Sequence, residues 1–286
     1  MRIQRTITQN TNHPGVVMPK LDQKYLMESD EEYLRLDMKT NEQAVEKQAG
    51  WAGIQAGMRV ADLGCGSGKT SAVLRRLVQP GGSVIGIDFA ENRIRLAEEH
   101  YAGDGLQFQC RDIRQPLDDL GSFDFIWVRF VLEYYLAEGF AIVKNIEKML
   151  RPGGILCLVD LDHNCLSHYG LSDRLNRTLQ ALLLELQNKA NFDPYAGRKL
   201  YSFLYDLNYL DIRVEVAGHH VIYGDLKEAD AFNWLKKVEV APGRIGYEFK
   251  EYAGGYPEFH DEFKNFFSDP RRFTYSPIIT CRGKKP

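Results

Sequence analysis

Between residues 60 and 77 an apolar run breaks into a glycine cluster and reopens as a helix. Val60-Ala61-Asp62-Leu63 leads into Gly64-Cys65-Gly66-Ser67-Gly68, and Lys69-Thr70-Ser71-Ala72-Val73-Leu74 follows. A strand that ends in glycines and turns straight into a helix constrains the whole fold. It belongs to sheets whose strands are joined by crossover helices, and it brings bare backbone and a helix N-terminus up to a ligand. The next hundred residues keep the same rhythm. Apolar runs predict strands over 59–63, 83–88, 106–110, 123–128 and 155–160, with helices over 69–78, 90–101 and 140–150. Regular alternation of this kind gives an α/β fold, a doubly wound parallel sheet with right-handed crossovers. Pro80-Gly81-Gly82 and Arg151-Pro152-Gly153-Gly154 read as breakers that stop a helix just before the next strand.

The flanks depart from this rhythm. Residues 1–24 are polar, with Pro14, Gly15 and Pro19, and read as an extended arm; residues 25–50 are helical in pattern. After residue 160 an amphipathic helix is expected over 172–190, with Ser172 as its cap and Leu175, Leu179, Leu182, Leu183 and Leu186 on one face. A second helix follows over 197–207, then a strand over 211–216 that runs on toward 223. Residues 226–267 look helical and are rich in aromatics, and a last strand covers 274–281. The domain expectation is an arm and covering helix over 1–50, then one large unit over 51–286 with helical insertions at 161–195 and 224–272.

With 44% hydrophobic residues in 286, the chain can fill a full core. Its formal net charge of −3 offers no basic stripe for nucleic acid, and the Arg282-Gly283-Lys284-Lys285 end reads as a solvated terminus. The five cysteines, Cys65, Cys110, Cys157, Cys165 and Cys281, form no CxxC pair and read as buried free thiols in a reducing compartment. No signal peptide is read at the start, and no stretch approaches the ~20 apolar residues of a membrane-spanning helix. A soluble, cytoplasmic protein is expected.

Three nucleotide-type ligands compete for the glycine cluster. A phosphate-cradling loop needs G-x-x-x-x-G-K-[ST]; Gly68-Lys69-Thr70 supplies its end, but Leu63 stands where the first glycine is required. A dinucleotide site needs G-x-G-x-x-G, and here Gly64, Gly66 and Gly68 give G-x-G-x-G with Asp62 ahead of them. A carboxylate beside a helix N-terminus is poorly suited to a diphosphate and well suited to a ligand carrying a cationic amine.

The segment Asp62 to Gly68 resembles the first motif of class I S-adenosylmethionine-dependent methyltransferases, and the resemblance continues in order. Ile87-Asp88 matches the second motif, which implies that Asp88 takes the ribose hydroxyls and that Phe89 packs on the adenine. Arg111-Asp112-Ile113 resembles the segment that meets the adenine amine, here through Asp112. The run from Phe123 through Val128 to Arg129 resembles the fourth-strand motif, and Leu150-Arg151-Pro152-Gly153-Gly154 the turn before the fifth strand. The match covers about residues 50–160. It implies a mostly parallel seven-stranded sheet with an antiparallel final strand, S-adenosylmethionine as cofactor, and a cofactor site built from Asp62, Gly64, Cys65, Gly66, Gly68, Asp88, Phe89, Asp112, Ile113, Val128 and Arg129. Asp88 and Asp112 also suit the ordinary task of ending a strand and capping a helix.

The resemblance further implies methyl transfer by in-line displacement, in which holding the nucleophile in line matters more than any fixed catalytic residue. The place of the Asn/Asp-Pro-Pro-Tyr turn of amine methylators is taken by Val128 to Tyr135, without proline. Of the glutamate pair of arginine methylators only Glu133 is present. Asp160 and Asp162 lack a third metal ligand, so no metal is expected. Residues 129–135 resemble the small-molecule branch, with quinone- and polyketide-like acceptors. The aromatics of the insertions then either line an apolar pocket or form the core of a helical subdomain. Tyr134, Tyr135 and His219 are the candidate acceptor contacts and His163 is the candidate base. His168 and His220 are further histidines, and strand alternation would turn only one of His219 and His220 inward. Tyr25 and Arg35 on the N-terminal helix either cover the cofactor's methionine end, Arg35 reaching its carboxylate, or lie on an exposed surface of that helix. The partner expected is a small-molecule acceptor, with no nucleic acid and a homodimer left open. A non-catalytic S-adenosylmethionine-binding protein, an NAD-dependent oxidoreductase and an RNA methylator are the alternatives.

Overall fold

The structure, a computed structural model, describes residue 26 and residues 32–286. The arm read over residues 1–24, and Tyr25, lie outside the described residues. Helix α1 (Glu32–Lys39) is followed by α2 (Glu42–Ala52). The single helix expected over 25–50 is broken because Asn41 is extended and its side chain accepts from the Ala44 N–H at 3.0 Å, which starts a fresh helix. The alternating segment then runs through β1 (Arg59–Leu63), α3 (Lys69–Leu77), β2 (Ser83–Asp88), α4 (Glu91–Tyr101), β3 (Leu106–Cys110), β4 (Phe123–Arg129), α5 (Gly139–Ile146) and β5 (Leu150–Leu161). Beyond it come β6 (His168–Tyr169), α6 (Asp173–Ala190), α7 (Leu200–Asp206), β7 (Leu210–Ile222), α8 (Glu228–Ile245), α9 (Tyr256–Ser268) and β8 (Phe273–Lys284).

The strands form one sheet in the order β3-β2-β1-β4-β5-β8, with β6 and β7 both paired to β8. From β3 to β5 every pairing is parallel, and β8 runs antiparallel to its neighbours. The sheet has eight strands rather than seven because the two-residue β6 adds to its edge. Strand order reverses between β1 and β4, and such a switch point opens a crevice at the carboxyl ends of the strands. Side-chain alternation divides the core between the two faces. Ala61, Leu63, Ile126 and Val128 pack on one, and Val60, Phe125, Trp127 and Cys157 on the other.

The expected break at residues 151–154 falls inside β5, which opens at Leu150. There the pairing slips from Phe123 opposite Leu150 to Phe125 opposite Ile155, so the Pro-Gly-Gly residues form a bulge rather than a turn ahead of the strand. The thiols are free, but Cys110 is exposed and Cys165 half-buried, because each lies at the end of a strand or in the loop after one. Among the described residues no helix is long and apolar enough to cross a membrane. Helices α6, α8 and α9 share an aromatic core in which Leu175, Leu179, Trp234, Phe259, Phe263 and Phe267 are all buried. Ser172 caps α6 by accepting from the Leu175 N–H at 3.0 Å.

Candidate active site

Above the switch point lies a cavity of about 830 Å³, counting its open mouth. Gly64, Cys65, Gly66 and Ser67 form its floor. Asp88 and Phe89 rise from the end of β2, Asp112 and Ile113 from the end of β3, and Arg129 from the end of β4. Gly64 has φ +76, and a Cβ there would lie 2.3 Å from Val131 Cγ2, so only glycine fits the turn. Asp88 holds the floor in place. Its Oδ2 accepts from the Gly66 N–H at 3.1 Å, and its Oδ1 accepts from the Ala90 N–H and from two nitrogens of Arg93. A carboxylate offers about four acceptor positions, so Oδ2 keeps one for a ligand. Phe89 is 41% exposed, a high value for a ring at the end of a buried strand, and its ring faces the cavity. Asp112 is held by Arg114 through paired contacts at 2.9 and 2.7 Å, and that pairing helps keep its carboxyl below the usual range.

Three of the residues expected at this site stand behind it. Asp62 is 2% exposed and outside the cavity lining, with Ser71 Oγ donating to it at 2.6 Å. Burial pushes its carboxyl up to about 7, so it is no fixed anion facing a ligand. Gly68 opens α3 beneath the floor, where a Cβ would press on Ala97 at 2.8 Å and on Phe108 at 2.9 Å. Val128 lies within the core of the sheet. Side chains the sequence does not single out complete the wall: Leu36, Lys39 and Thr40 come from α1 and the turn after it, and Arg93 from α4.

The Asp62 shift has a measurable consequence. In the unfolded chain this carboxyl ionises near ~4, whereas in the fold it does so near 7. Between those values the native state binds more protons than the unfolded one. The stabilisation is therefore full below pH ~4 and is lost as pH rises to about 7. Between pH 5 and pH 8 the parent protein should lose on the order of 2 kcal/mol more stability than Asp62→Asn in urea denaturation. Equal losses in the two proteins would refute the assignment.

A second cavity of about 820 Å³ adjoins the first. Leu179, Leu182, Leu183 and Leu186 of α6 line its apolar side with Phe192, Trp234 and Phe263, while Arg35, Glu133, Asn164, His219, His220 and Lys237 line its polar side. The two cavities share Lys39, Phe130 and Tyr134. Phe130 sits at this junction with φ +58, a left-handed conformation that a bulky residue rarely adopts.

Several expectations change here. His163 is exposed, packs edge-on against Tyr195 and lines neither cavity, because φ +46 turns the chain outward after β5. His219 and His220 both face the second cavity. Strand alternation fails there because His220 has φ +48 and the pairing with β8 slips between His219 and Ile222. Burial pushes His220 down to about 3 and His219 below the usual histidine range, so both are neutral at pH 7. Tyr134 faces both cavities, whereas Tyr135 lines only the first, since the tight turn Leu132–Tyr134 fans successive side chains apart. Arg35 lies in the second cavity, where Glu32 accepts from it at 2.7 Å and Asn233 at 2.9 Å, so it does not reach over the first. Asp160 and Asp162 part ways. Asp160 is buried and accepts from the Glu133 and Leu161 N–H groups, while Asp162 pairs with Arg198.

A family model described as a methyltransferase domain matches residues 61–158, the stretch that supplies the first cavity's lining apart from Leu36, Lys39 and Thr40. The chain is 26% identical over 203 residues to the demethylmenaquinone methyltransferase of Lactococcus lactis subsp. lactis (strain IL1403), covering 70% of each chain. It is a class I S-adenosylmethionine-dependent methyltransferase. A demethylmenaquinone methyltransferase of Staphylococcus aureus (strain JH9) is 31% identical over 109 residues. That match takes in 37% of this chain, and the chain spans 44% of the relative's length. Among solved structures, a Bacillus halodurans protein assigned as a methyltransferase has a TM-score of 0.55 at 15% identity, covering 85% of this chain and 99% of that one. The cyclase SpnF has a TM-score of 0.50 at 14% identity, covering 86% and 81%. These likenesses concern the fold. As a member of this family the chain transfers a methyl group from S-adenosylmethionine to a small molecule.

Proposed function

We propose that the first cavity holds S-adenosylmethionine and the second holds the methyl acceptor, a small, partly apolar molecule of the quinol or polyketide type. The observation that carries this is the shared wall: both cavities end on Lys39, Phe130 and Tyr134, so occupants of the two would meet there. The demethylmenaquinone names of the relatives favour a quinol among the acceptors.

In this assignment Asp88 receives the ribose hydroxyls through the free position on Oδ2. Phe89 and Ile113 enclose the adenine and Asp112 meets its amine. Gly64, Cys65 and Gly66 offer backbone, and Arg129 offers a cation to the methionine carboxylate. Asp62, Gly68 and Val128 shape the floor from behind. Tyr134 and His219 contact the acceptor. Helix α1 and the insertions at 161–195 and 224–272 form the cover that excludes water, and α1 ties that cover to the body: Asn233 holds its Arg35, and Tyr101 donates to its Asp37 at 2.7 Å. The cofactor supplies a methyl group already activated on a sulfonium. What the chain adds is alignment of the nucleophile at near-contact distance in a dry site. The assignment carries a cytoplasmic location and leaves dimerisation to a size measurement.

Incubation with methyl-labelled S-adenosylmethionine and a panel of naphthoquinols, catechols and bulk RNA should label a bicyclic quinol and leave the RNA unlabelled. Retained S-adenosylmethionine binding with no labelling of any apolar quinol or phenol would overturn the acceptor assignment.

A further inference from the structure

Lys39 closes α1 at the point where the two cavities join. Its helix is fixed from both sides. Lys69 and Tyr101 of the α/β body reach Asp37, and Asn233 of the cover receives Arg35. The Lys39 Nζ lies 5.6 Å from the centre of the Phe130 ring and makes no hydrogen bond or ion pair among the described residues. The groups around it are mostly cationic or neutral. Arg35, paired with Glu32, is on its own helix, Lys237 comes from α8 and Arg129 from the end of β4. Glu133 and Tyr134 come from the turn after β4, Cys165 from the loop after β5, and His219 and His220 from β7. Glu133, the only carboxylate in the second cavity's described lining, already accepts from Asn164 Nδ2 at 2.6 Å and from Tyr134. The buried indole N–H of Trp234, in the same wall, has no acceptor among the described residues.

We propose that Lys39 removes the acidic proton of the acceptor, which is then held as its oxyanion in a throat formed with Lys237 and Arg35. The acceptor class is thereby a weakly acidic phenol, quinol or enol with an apolar body. This rests on the second cavity being the acceptor site. In the step, the acceptor O–H bond breaks and its electron pair stays on oxygen. The neutral Lys39 amine forms the new N–H bond and becomes an ammonium beside the oxyanion. Atoms and charge balance with no other reactant.

Burial and the neighbouring Arg35 push Lys39 down to about 7, so a useful share of the free amine exists at neutral pH. A base is most effective when its pKa lies near the working pH, and on that ground Lys39 suits the task better than His220, which titrates near 3. The Trp234 N–H, buried in the apolar wall of the same cavity, is a donor that no group among the described residues satisfies.

The probe is 7-hydroxycoumarin, a bicyclic phenol whose neutral and ionised forms absorb at different wavelengths. Titrated while bound to the parent protein, it should ionise at a hydrogen-ion concentration at least about tenfold higher than when free, a full pH unit lower. Lys39→Met should remove most of that shift, whereas Lys237→Met, which takes away one of the cations holding the oxyanion but not the proton acceptor, should remove a smaller part of it. A bound probe that ionises as it does in water, or equal losses in the two variants, would overturn Lys39 as the proton acceptor. Leu182→Trp, which fills the apolar side, should weaken the probe about tenfold or more. Unchanged affinity there would instead overturn the acceptor-cavity assignment on which the proposal rests.

Discussion

Asp88→Ala should lower S-adenosylmethionine affinity by at least about 100-fold in calorimetry, with a loss of roughly 3 kcal/mol in stability on urea denaturation. One carboxylate performs two tasks at the end of β2. Toward the protein it accepts from the Gly66 and Ala90 N–H groups and from the buried Arg93 guanidinium, 3% exposed, so it fixes the glycine floor and neutralises a charge held out of water. Toward the cavity its remaining lone pair is the acceptor we assign to the ribose. Removing the side chain deprives three protein donors of their acceptor and loosens the turn that brings backbone to the ligand. Asp88→Asn separates the two tasks. It keeps one acceptor oxygen and the side-chain shape but loses the charge beside Arg93, so it should fall between parent and alanine in both measurements. Parent-like affinity in Asp88→Ala would place the cofactor elsewhere.

The parallel strands were open to reading because β1, β2, β4 and the second part of β5 are buried on both faces, which leaves nearly continuous apolar runs, and because glycine precedes β2, β3 and Ile155 or follows β1; β3 instead alternates buried and exposed residues. Residues 59–63, 83–88 and 106–110 match β1, β2 and β3 at both ends. The glycine floor was legible for the same reason: a left-handed turn between strand and helix needs residues without a Cβ. Two kinds of feature were hidden. The first is tertiary: Leu36, Lys39 and Thr40 reach the cavity only because α1 docks across the sheet edge, and nothing in the local pattern of a charged helix says where it docks. The second is local irregularity. A bulge at 151–154 and positive φ at Phe130, His163 and His220 redirect side chains that strict alternation would send elsewhere. Those irregularities decide that His220 lines a cavity and His163 does not. Asp62 illustrates a further gap. Its position in the motif was plain, while its burial behind Ser71, which raises its pKa, depends on packing that spacing does not encode.

Phe263→Ala should remove acceptor-side binding while leaving the cofactor site nearly intact. Phe263 is fully buried in the aromatic core that joins α6, α8 and α9, with its ring 5.5 Å from that of Phe267 and 6.4 Å from that of Trp234, and it also lines the second cavity. Truncating a buried phenylalanine costs about 3–5 kcal/mol through lost transfer energy and the void left behind. That loss falls on the cover, whose helices pack mainly on one another, and not on the parallel strands, whose cores lie on the two faces of the sheet. Local opening of the cover is then the lowest-energy fluctuation of the molecule. Affinity for 7-hydroxycoumarin should drop about tenfold or more, because a slackened wall exposes the probe to water. Affinity for S-adenosylmethionine should stay within about threefold, because the floor, Asp88 and Phe89 belong to the sheet. Amide exchange should quicken in α8 and α9 and stay slow in β1, β2 and β4. If the two affinities fall together, the cover and the sheet open as one unit and the separation of the two cavities is wrong. If only the probe is lost, methyl donor and acceptor are held by parts of the chain with separate stabilities, joined through α1 and Lys39.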